Sequence, residues 1–268
     1  MPTPAPPTEP APRLGACVFE HPLNERIRLF LRLEWLFVLG RDGRGNAGPA
    51  TDHALLDNLL QVENLLLRGD VRKEILREFE RVQQAWNPLR TRPSVDGTRL
   101  ERLLGEFAQK SRRLLESEAR MGESLRHCEL LHLVKSRSAV PGGAAPFEVP
   151  AYAHWLQTEA SRRQNRMAGW YAELDPIEDA VRFYLQLLRE SAPFTPQESP
   201  EGTFEEDLGL LNAVSLIRIR LPAEFPGFPE VSASRHRLFV RFLAQPDPCE
   251  RPEPFRQKVR WELQHCQL

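Results

Sequence analysis

Apolar residues recur at helical spacing along the first two thirds of the chain. The two clearest stripes are Val71, Ile75, Phe79, Val82, Trp86 and Leu100, Leu103, Leu104, Phe107. Spacings of three and four residues place such side chains on one face of an α-helix. The pattern predicts six or seven helices between Pro22 and about Ser191.

Residues typical of helix starts precede these stripes. Asp70 and Asp96 can each accept a hydrogen bond from the free backbone N–H groups of a first turn. Asp175 is predicted to be a third N-cap, followed by Pro176 at the first helical position, which proline favours. Two segments rich in glycine or proline, residues 40–49 and 140–150, interrupt the helical pattern, and the second is expected to include a short extended piece.

After residue 194 the hydrophobic period changes from about 3.6 to 2, which is typical of strands. Three segments show it: VSLIRIRL (214–221), RHRLFVRFL (235–243) and FRQKVRWEL (255–263). A proline-rich turn, PAEFPGFPE (222–230), separates the first two. Residues 198–207 carry five acids and no base, and are interpreted as an acidic loop or edge strand. The three segments predict one small antiparallel sheet with a single buried face.

The predicted fold class is therefore α+β, with an N-terminal multi-helix domain followed by a smaller antiparallel β-sheet domain. The helical domain is placed at residues 16–191 and the β-strand domain at 192–268. Residues 1–15 are predicted to be a disordered proline-rich tail, because six prolines occur in the first fourteen positions.

Composition indicates a globular, soluble chain with almost no net charge. Of its 268 residues 27% are charged and 41% hydrophobic, and the formal net charge is -1. Any electrostatic function must therefore be local. The four cysteines are scattered and no signal segment is evident, so a reducing cytoplasm is expected. The most apolar run, from Ile27 to Gly40, is shorter than the roughly 20 residues of a membrane span.

No motif in the sequence predicts an enzyme or a metal site. GRGNAG (43–48) has dinucleotide-binding spacing, but it follows a helix where that motif needs a strand. His127, Cys128 and His132 lie close together in the sequence, yet positions five apart diverge on a helix and no further cluster has ligand spacing. There is no GxSxG nucleophile elbow.

The segment SRHRLFVRF (234–242) alternates His236, Leu238, Val240 and Phe242 on one side with Arg235, Arg237 and Arg241 on the other. If the flanking strands adjoin it, they extend this basic face by Arg218, Arg220, Arg256, Lys258 and Arg260. Like charges in neighbouring strands repel, so such a face is better tolerated with an anionic partner. An acidic peptide and a phosphate backbone both fit the planar donors of arginine.

Several stretches resemble the ZapD family of bacterial cell division proteins. They are VFEHPLNERIRLFLRLEWL (18–36), RGDVRKEILREFER (68–81), SVDGTRLERLL (94–104), LVKSRSAVPGG (133–143), LRESAPF (188–194) and SRHRLFVRF (234–242). The resemblance runs from about Cys17 to Cys266, and the FEHPLNE, PGG and SAPF sequences make it specific.

This resemblance implies a non-enzymatic homodimer, without cofactor, metal or membrane insertion, that acts in the cytoplasm at the mid-cell division ring. It implies binding to the C-terminal tail of the tubulin-like protein FtsZ through a basic pocket, and bundling of FtsZ protofilaments to promote Z-ring assembly. By matched motif and shared strand face, the partner-binding residues are Arg237, Arg241, Arg235, Arg72, Arg68, Arg126 and Lys258.

Two further expectations concern the dimer and an alternative function. The first helix is more apolar than one buried stripe requires, so the helical domain is expected to carry the dimer contact. The alternative is a nucleic-acid-binding protein that uses the same basic sheet face. Against it stand the isoelectric point of about 6.7 and the fact that Phe239 is the one aromatic residue on the arginine side.

Overall fold

The computed structural model describes residues 16–43, 48–67, 69–117, 122–209, 214–234 and 236–268. They divide into two compact units, a sheet unit of residues 16–28 and 187–268 and a helical unit of residues 29–186. A series of helices is followed by antiparallel sheets, which confirms the predicted α+β class. The predicted tail, residues 1–15, lies outside the described residues.

The described residues form nine α-helices and one short 3-10 helix, Asn87–Thr91. The α-helices are α1 (Glu25–Gly43), α2 (Pro49–Leu67), α3 (Val71–Trp86), α4 (Gly97–Glu116), α5 (Glu123–Arg126), α6 (Glu129–Arg137), α7 (Pro150–Leu156), α8 (Ala160–Ala172) and α9 (Asp175–Glu190). The prediction of six or seven helices is wrong, because helices as short as α5 and α7 contain too few turns to show an apolar stripe.

The helical unit is built around the stripes that the sequence predicts. Phe79 of α3 lies in the core, where its ring meets Phe107 of α4 edge to face at a centroid distance of 4.9 Å. Tyr184 of α9 stacks on Phe79 at 6.4 Å and donates a hydrogen bond of 3.1 Å to the buried Glu78 carboxylate. The consecutive helices α3 and α4 thus share one aromatic core with α9, which lies far from them in sequence.

Two of the three predicted N-caps, Asp70 and Asp96, are confirmed, whereas Asp175 is itself the first residue of α9 and the prediction for it is wrong. The carboxylate of Asp70 accepts a 3.0 Å hydrogen bond from the backbone N–H of Lys73. Asp96 makes the same 3.0 Å bond with Arg99. Each bond satisfies one of the N–H groups that the first turn of a helix leaves without a partner.

The extended piece expected within residues 140–150 is absent from this described segment, so that prediction is wrong. The chain instead forms successive turns, with bonds from the Gly143 N–H to the Val140 carbonyl (2.8 Å) and from the Ala145 N–H to the Gly142 carbonyl (2.9 Å). Gly142 has φ near +69°, a conformation that glycine adopts without steric cost. The i to i+3 bonds satisfy the backbone locally, so no strand partner is needed.

The sheet unit contains eight strands in two antiparallel sheets, counting the described residues. They are β1 (Cys17–Pro22), β2 (Thr195–Ser199), β3 (Thr203–Asp207), β4 (Leu216–Leu221), β5 (Gly227–Ala233), β6 (Arg237–Ala244), β7 (Glu253–Pro254) and β8 (Val259–Cys266). The first sheet has the order β1-β4-β8-β2, and the second has the order β3-β6-β5, with β7 also paired to β6.

The two sheets share one apolar core and therefore pack face to face. Leu238, Val240 and Phe242 of the second sheet belong to the same buried cluster as residues of the first sheet. Trp261 of β8 sits between the sheets, with its ring centroid 5.3 Å from that of Phe242. The indole N–H donates a 3.0 Å hydrogen bond to the hydroxyl of Ser199, which is also buried.

The single predicted sheet is thus wrong in its pairing. The strand containing Arg237 and Arg241 pairs with β3 and β5, whereas the strands of Arg218 and Arg260 pair with each other in the first sheet. Alternation specifies which residues of a strand are buried, but it carries no information about the neighbouring strand. Because the inner faces pack together, the outer faces of the two sheets point away from each other.

Three strands of the sheet unit, β1, β5 and the two-residue β7, were not predicted. Residues 17–22 pair with β4 along its whole length, so this segment lies with the sheets although the sequence analysis included it in the helical domain. Part of the proline-rich turn forms β5, whose Pro229 occupies an edge strand, where a missing N–H is tolerated. The acidic stretch contributes β2 and β3, which confirms its interpretation as edge strand.

A half-buried ion cluster joins β1, β4 and the end of α9 on the outer side of the first sheet. One carboxylate oxygen of Glu20 accepts hydrogen bonds of 2.8 Å from both Arg189 and Arg218. Burial opposes ionisation of Glu20, but its bonds to the two arginines outweigh that effect and lower the pKa of its carboxyl below 4.5. Arg218 also donates a 2.9 Å bond to the buried Gln264.

We expect Glu20→Gln to destabilise the protein by about 2 kcal/mol at pH 7, because it removes a charge that two guanidinium groups share. A carboxyl with a lowered folded-state pKa stabilises above its unfolded pKa and loses that effect as the pH falls through the folded value. The difference from wild type should therefore shrink below about pH 4. Urea unfolding followed by circular dichroism at pH 7 and pH 3 measures it.

Glu25→Gln is the matched control, since Glu25 makes a 3.0 Å pair with Arg28 while its side chain is 84% exposed. It should change the free energy of unfolding by less than about 0.5 kcal/mol. An equal loss for Glu20→Gln at both pH values would show that the cluster stabilises by packing rather than by charge.

Candidate partner-binding site

The outer face of the second sheet carries the two arginines that the sequence singled out. Arg237 and Arg241 lie on β6 on either side of Phe239, whose side chain is 39% exposed. The intervening residues Leu238 and Val240 are fully buried. The predicted alternation is therefore confirmed along the strand, although His236 precedes the strand and is exposed rather than inward-facing.

Each of these arginines is paired with a carboxylate from a neighbouring strand. Arg237 lies 2.9 Å from Glu205 of β3, and Arg241 donates a 3.0 Å hydrogen bond from Nε to Glu230 of β5. The Arg237 side chain nevertheless remains 72% exposed and that of Arg241 43% exposed. Exposed pairs contribute little to stability and exchange partners readily, so both guanidinium groups are accessible to a competing carboxylate.

Lys258 lies just before β8 and belongs to a second exposed ion cluster. Its ammonium group is 2.7 Å from Glu198 of β2, which also accepts a 3.1 Å hydrogen bond from Arg260. The hydrogen bond from Lys258, assisted by Arg260, lowers the pKa of the Glu198 carboxyl below 4.5. Glu198 is therefore ionised at neutral pH.

Adjoining cavities place Arg241 and Lys258 along one segment of the sheet unit. A cavity of about 370 Å³ is lined by Arg241, Arg256 and Phe255. The next, of about 450 Å³, is lined by Lys258, Arg260 and again Phe255. Phe255 lines both cavities, and we call the two cavities together the 255–260 groove.

The basic face predicted to extend over Arg218 and Arg220 does not exist as such. Arg218 is half-buried in the Glu20 cluster, and Arg220 pairs with Glu262 at 2.8 Å. The guanidinium of Arg220 also lies over the ring of Phe194, 3.7 Å from its centroid. Both arginines belong to the first sheet, on the opposite side of the sandwich from Arg237. Their contacts are structural ones within the chain.

The remaining predicted residues belong to the helical unit or lie outside the described residues. Arg72 is in the first turn of α3 and Arg126 ends α5, so both belong to the helical unit. Arg126 is exposed, and its carbonyl oxygen lies within hydrogen-bond distance of the His132 ring. Arg68 and Arg235 lie outside the described residues.

The acidic partners of the site were not predicted from the sequence. Glu198 and Glu205 come from the acidic stretch, but their pairing with Lys258 and Arg237 depends on strand order. Glu230 lies within the predicted turn and becomes the cross-strand neighbour of Arg241. Residues 213–268 contain more basic than acidic residues. Acids of β2 and β3 pair with some of these bases, so the site is mixed in charge rather than uniformly basic.

The helical unit has a cavity of its own, of about 500 Å³, lined by residues of α2 and of the PGG segment. At its wall the Tyr152 hydroxyl lies 2.9 Å from Nδ1 of His53. Burial, reinforced by the nearby Asp52 carboxylate, raises the pKa of Tyr152 to about 12, so its hydroxyl is protonated at neutral pH. Tyr152 and His53 thus form a hydrogen-bonded pair in the wall of this cavity.

Neither a metal centre nor a membrane span is found in the part of the chain that the structure describes. No group of three or more His, Cys, Asp or Glu side chains has metal-binding geometry there. His265, which adjoins Cys266 in the sequence, lies 2.9 Å from the Glu206 carboxylate. No helix among the described residues is long and apolar enough to cross a membrane.

The chain is similar to known cell division proteins over nearly its whole length. The sequence profile of a family described as ZapD, cell division protein, matches residues 31–241. A cell division protein ZapD from Methylococcus capsulatus strain Bath is 34% identical over 251 residues, which cover 94% of this chain and 98% of the relative. Another from Azoarcus sp. strain BH72 is 32% identical over 251 residues, 93% of this chain and 99% of the relative.

These similarities define a cell division protein with a helical unit and a β-sandwich unit. The chain belongs to the ZapD family. This family is one of cell division factors and not of enzymes. The resemblance seen in the sequence motifs is thereby confirmed.

Proposed function

We propose that this chain is a non-enzymatic cell division factor that binds the C-terminal tail of FtsZ. As a homodimer in the cytoplasm it cross-links FtsZ protofilaments into bundles and promotes assembly of the Z-ring at mid-cell. The observation that carries the proposal is the pair of exposed arginines, Arg237 and Arg241, flanking Phe239 on one strand of a ZapD-family protein.

The spacing of these residues suits an extended acidic peptide. Arg237 and Arg241 are four residues apart in a strand, which separates their Cα atoms by about 13 Å. An extended peptide covers the same length in four residues, so carboxylates at that spacing can meet both guanidinium groups. Phe239 between them offers an apolar contact to the intervening side chain. Arginine is well suited to this role because its planar fork binds a carboxylate through two hydrogen bonds.

The neighbouring acids favour a peptide over a nucleic acid. Glu205, Asp207 and Glu230 all share the outer face with the two arginines. A phosphate backbone carries a charge at every nucleotide and would be repelled by these carboxylates. A peptide with a few well-spaced acids can replace them one at a time at their arginine partners.

The 255–260 groove provides the continuation of the site. Arg241 and Lys258 line its two cavities, with the aromatic ring of Phe255 in common. We place the next acidic residue of the tail at Lys258. Arg72 and Arg126 of the helical unit, together with Arg68 and Arg235, remain predicted contacts.

Bundling follows if two such chains associate. Each site holds one tail through exposed charge pairs, so a single contact is expected to be only about micromolar. A homodimer joins two filaments, and the many tails displayed along each filament raise the effective concentration of the second binding event. Weak individual contacts then add up to stable bundles that can still be taken apart.

Arg237→Ala and Arg241→Glu should each abolish co-sedimentation with FtsZ bundles while leaving the dimer intact. Loss of one charge-assisted contact is expected to weaken tail binding by about tenfold or more. Pelleting of FtsZ with GTP, turbidity, and anisotropy of a labelled FtsZ tail peptide measure the effect. Arg90→Ala is the matched control, since Arg90 is a comparably exposed arginine of the helical unit paired with Glu101 at 2.8 Å. Wild-type bundling by both site variants would remove these arginines from the site.

Bundling should weaken with ionic strength, because screening acts strongly on exposed charges. Raising the salt from about 50 to about 300 mM shortens the Debye length to less than half and should reduce the turbidity increase severalfold. Turbidity and anisotropy of the tail peptide follow the change at constant pH. Binding that does not respond to salt would indicate an apolar interface instead.

Glu205→Gln should strengthen tail binding, because it frees Arg237 from its partner within the chain. An exposed pair is worth about 0.2 to 1 kcal/mol, so the tail peptide should bind up to about fivefold more tightly. Glu101→Gln removes the same charge from an exposed pair in the helical unit and controls for net charge. Weaker binding by the Glu205 variant alone would mean that Glu205 orients Arg237 rather than competing for it.

A further inference from the structure

Helix α1 exposes a second apolar face that the fold of a single chain does not use. Trp35 is 62% exposed and Leu39 42% exposed, although the opposite side of the helix buries Phe30, Leu33 and Phe37 in the core. A tryptophan so exposed is unusual, because the residue has the largest apolar surface to remove from water. Covering this face of α1 with a partner would therefore remove more apolar surface from water than covering an ordinary part of the surface.

Charged residues flank the two apolar ones on the same face. Arg32 and Asp42 are both exposed, and positions 32, 35, 39 and 42 are spaced three and four residues apart. Among the residues that the structure describes, neither charge has an ion-pair partner. The face thus has a positive end, an apolar centre and a negative end.

This arrangement is complementary to itself. The pairs 32 with 42 and 35 with 39 have the same midpoint, residue 37. If two copies of α1 lie antiparallel about a two-fold axis at that point, Trp35 meets the partner's Leu39 and Arg32 meets the partner's Asp42. A two-fold interface requires this kind of self-complementary surface, in which each contact occurs twice.

We propose that two copies of this chain pair through α1, antiparallel, with Trp35 and Leu39 at the centre and Arg32 and Asp42 at the ends. The proposal rests on the homodimer of the proposed function and names its surface. Within one helix, Arg32 and Asp42 are ten residues or about 15 Å apart along the axis, too far to pair with each other. In the antiparallel arrangement a second copy supplies partners for both charges at once.

Charge reversal tests this geometry. Arg32→Glu alone places a new carboxylate against the partner's Asp42 at both ends of the interface. Asp42→Arg alone brings two guanidinium groups together at both ends, so each variant should dimerise at least tenfold more weakly than wild type. In an equimolar mixture, one copy of each mixed dimer carries carboxylates at both positions and the other carries guanidinium groups at both, so opposite charges meet at both ends and mixing the single variants should restore dimerisation.

The double variant, Arg32→Glu with Asp42→Arg in the same chain, restores complementarity. It exchanges the positive and negative ends of the face, so every carboxylate again meets a guanidinium group of the second copy. Its dimerisation should therefore return to within about threefold of wild type. Sedimentation velocity of the full-length chains, over a concentration series, measures the single variants, their mixture and the double variant.

Trp35→Ala gives an independent test of the apolar centre and should likewise weaken the dimer at least tenfold. Phe147→Ala is its control, because Phe147 is an even more exposed aromatic residue, at 81%, that does not lie on α1. Helical content by circular dichroism checks that the variants fold. Anisotropy of the FtsZ tail peptide should be unchanged per chain, since the substitutions leave the arginine site intact.

The outcomes separate this proposal from the proposed function. Wild-type dimerisation by both single charge variants and by Trp35→Ala would overturn the α1 surface while leaving the dimer itself standing. Two weakened single variants whose combination in one chain stays as weak would overturn the antiparallel pairing. A wild-type chain that is monomeric at all concentrations would overturn both the surface and cross-linking by a dimer, whatever the tail peptide shows.

Discussion

The apolar core between the two sheets, with Trp261 at its centre, is the constraint on which the sheet unit depends. The strands of both sheets bury alternate residues in this core, so the residues that alternate with the buried ones face outward. Leu238, Val240 and Phe242 are drawn inward, and Arg237 and Arg241 are thereby held at fixed spacing on the outside. The proposed binding residues are held on this face by the hydrophobic burial of their neighbours in the strand.

Charge compensation then determines how such a site can work. The edge strands β2 and β3 bring acids to the strands that carry the bases, so the free protein keeps its guanidinium and ammonium groups occupied. A partner with carboxylates exchanges one set of exposed ion pairs for another, and the net gain per contact is small. Such a site suits a reversible assembly, because affinity comes from the number of contacts rather than from the strength of each.

The helical unit contributes differently. Its core is built from long-range aromatic contacts among α3, α4 and α9, which are apolar and therefore insensitive to salt. Helix α1 uses one face for burial and displays a second, self-complementary face. The proposed tail-binding surface on the sheet unit and the proposed pairing surface on α1 would together provide the two binding functions that joining filaments requires.

Local patterns in the sequence were sufficient to predict the elements whose hydrogen bonds are local. They were also sufficient to identify the family. The stripes and caps of α3 and α4 were predicted correctly because helical hydrogen bonds and N-caps join residues three or four positions apart. The alternation of β6 likewise identified which of its arginines face outward. Only the tertiary structure decided that Arg218 is enclosed with Glu20 and Gln264, whereas Arg241 stays accessible beside the 255–260 groove. The physical reason is that side-chain alternation repeats within a strand, but pairing between strands depends on partners far away in the chain.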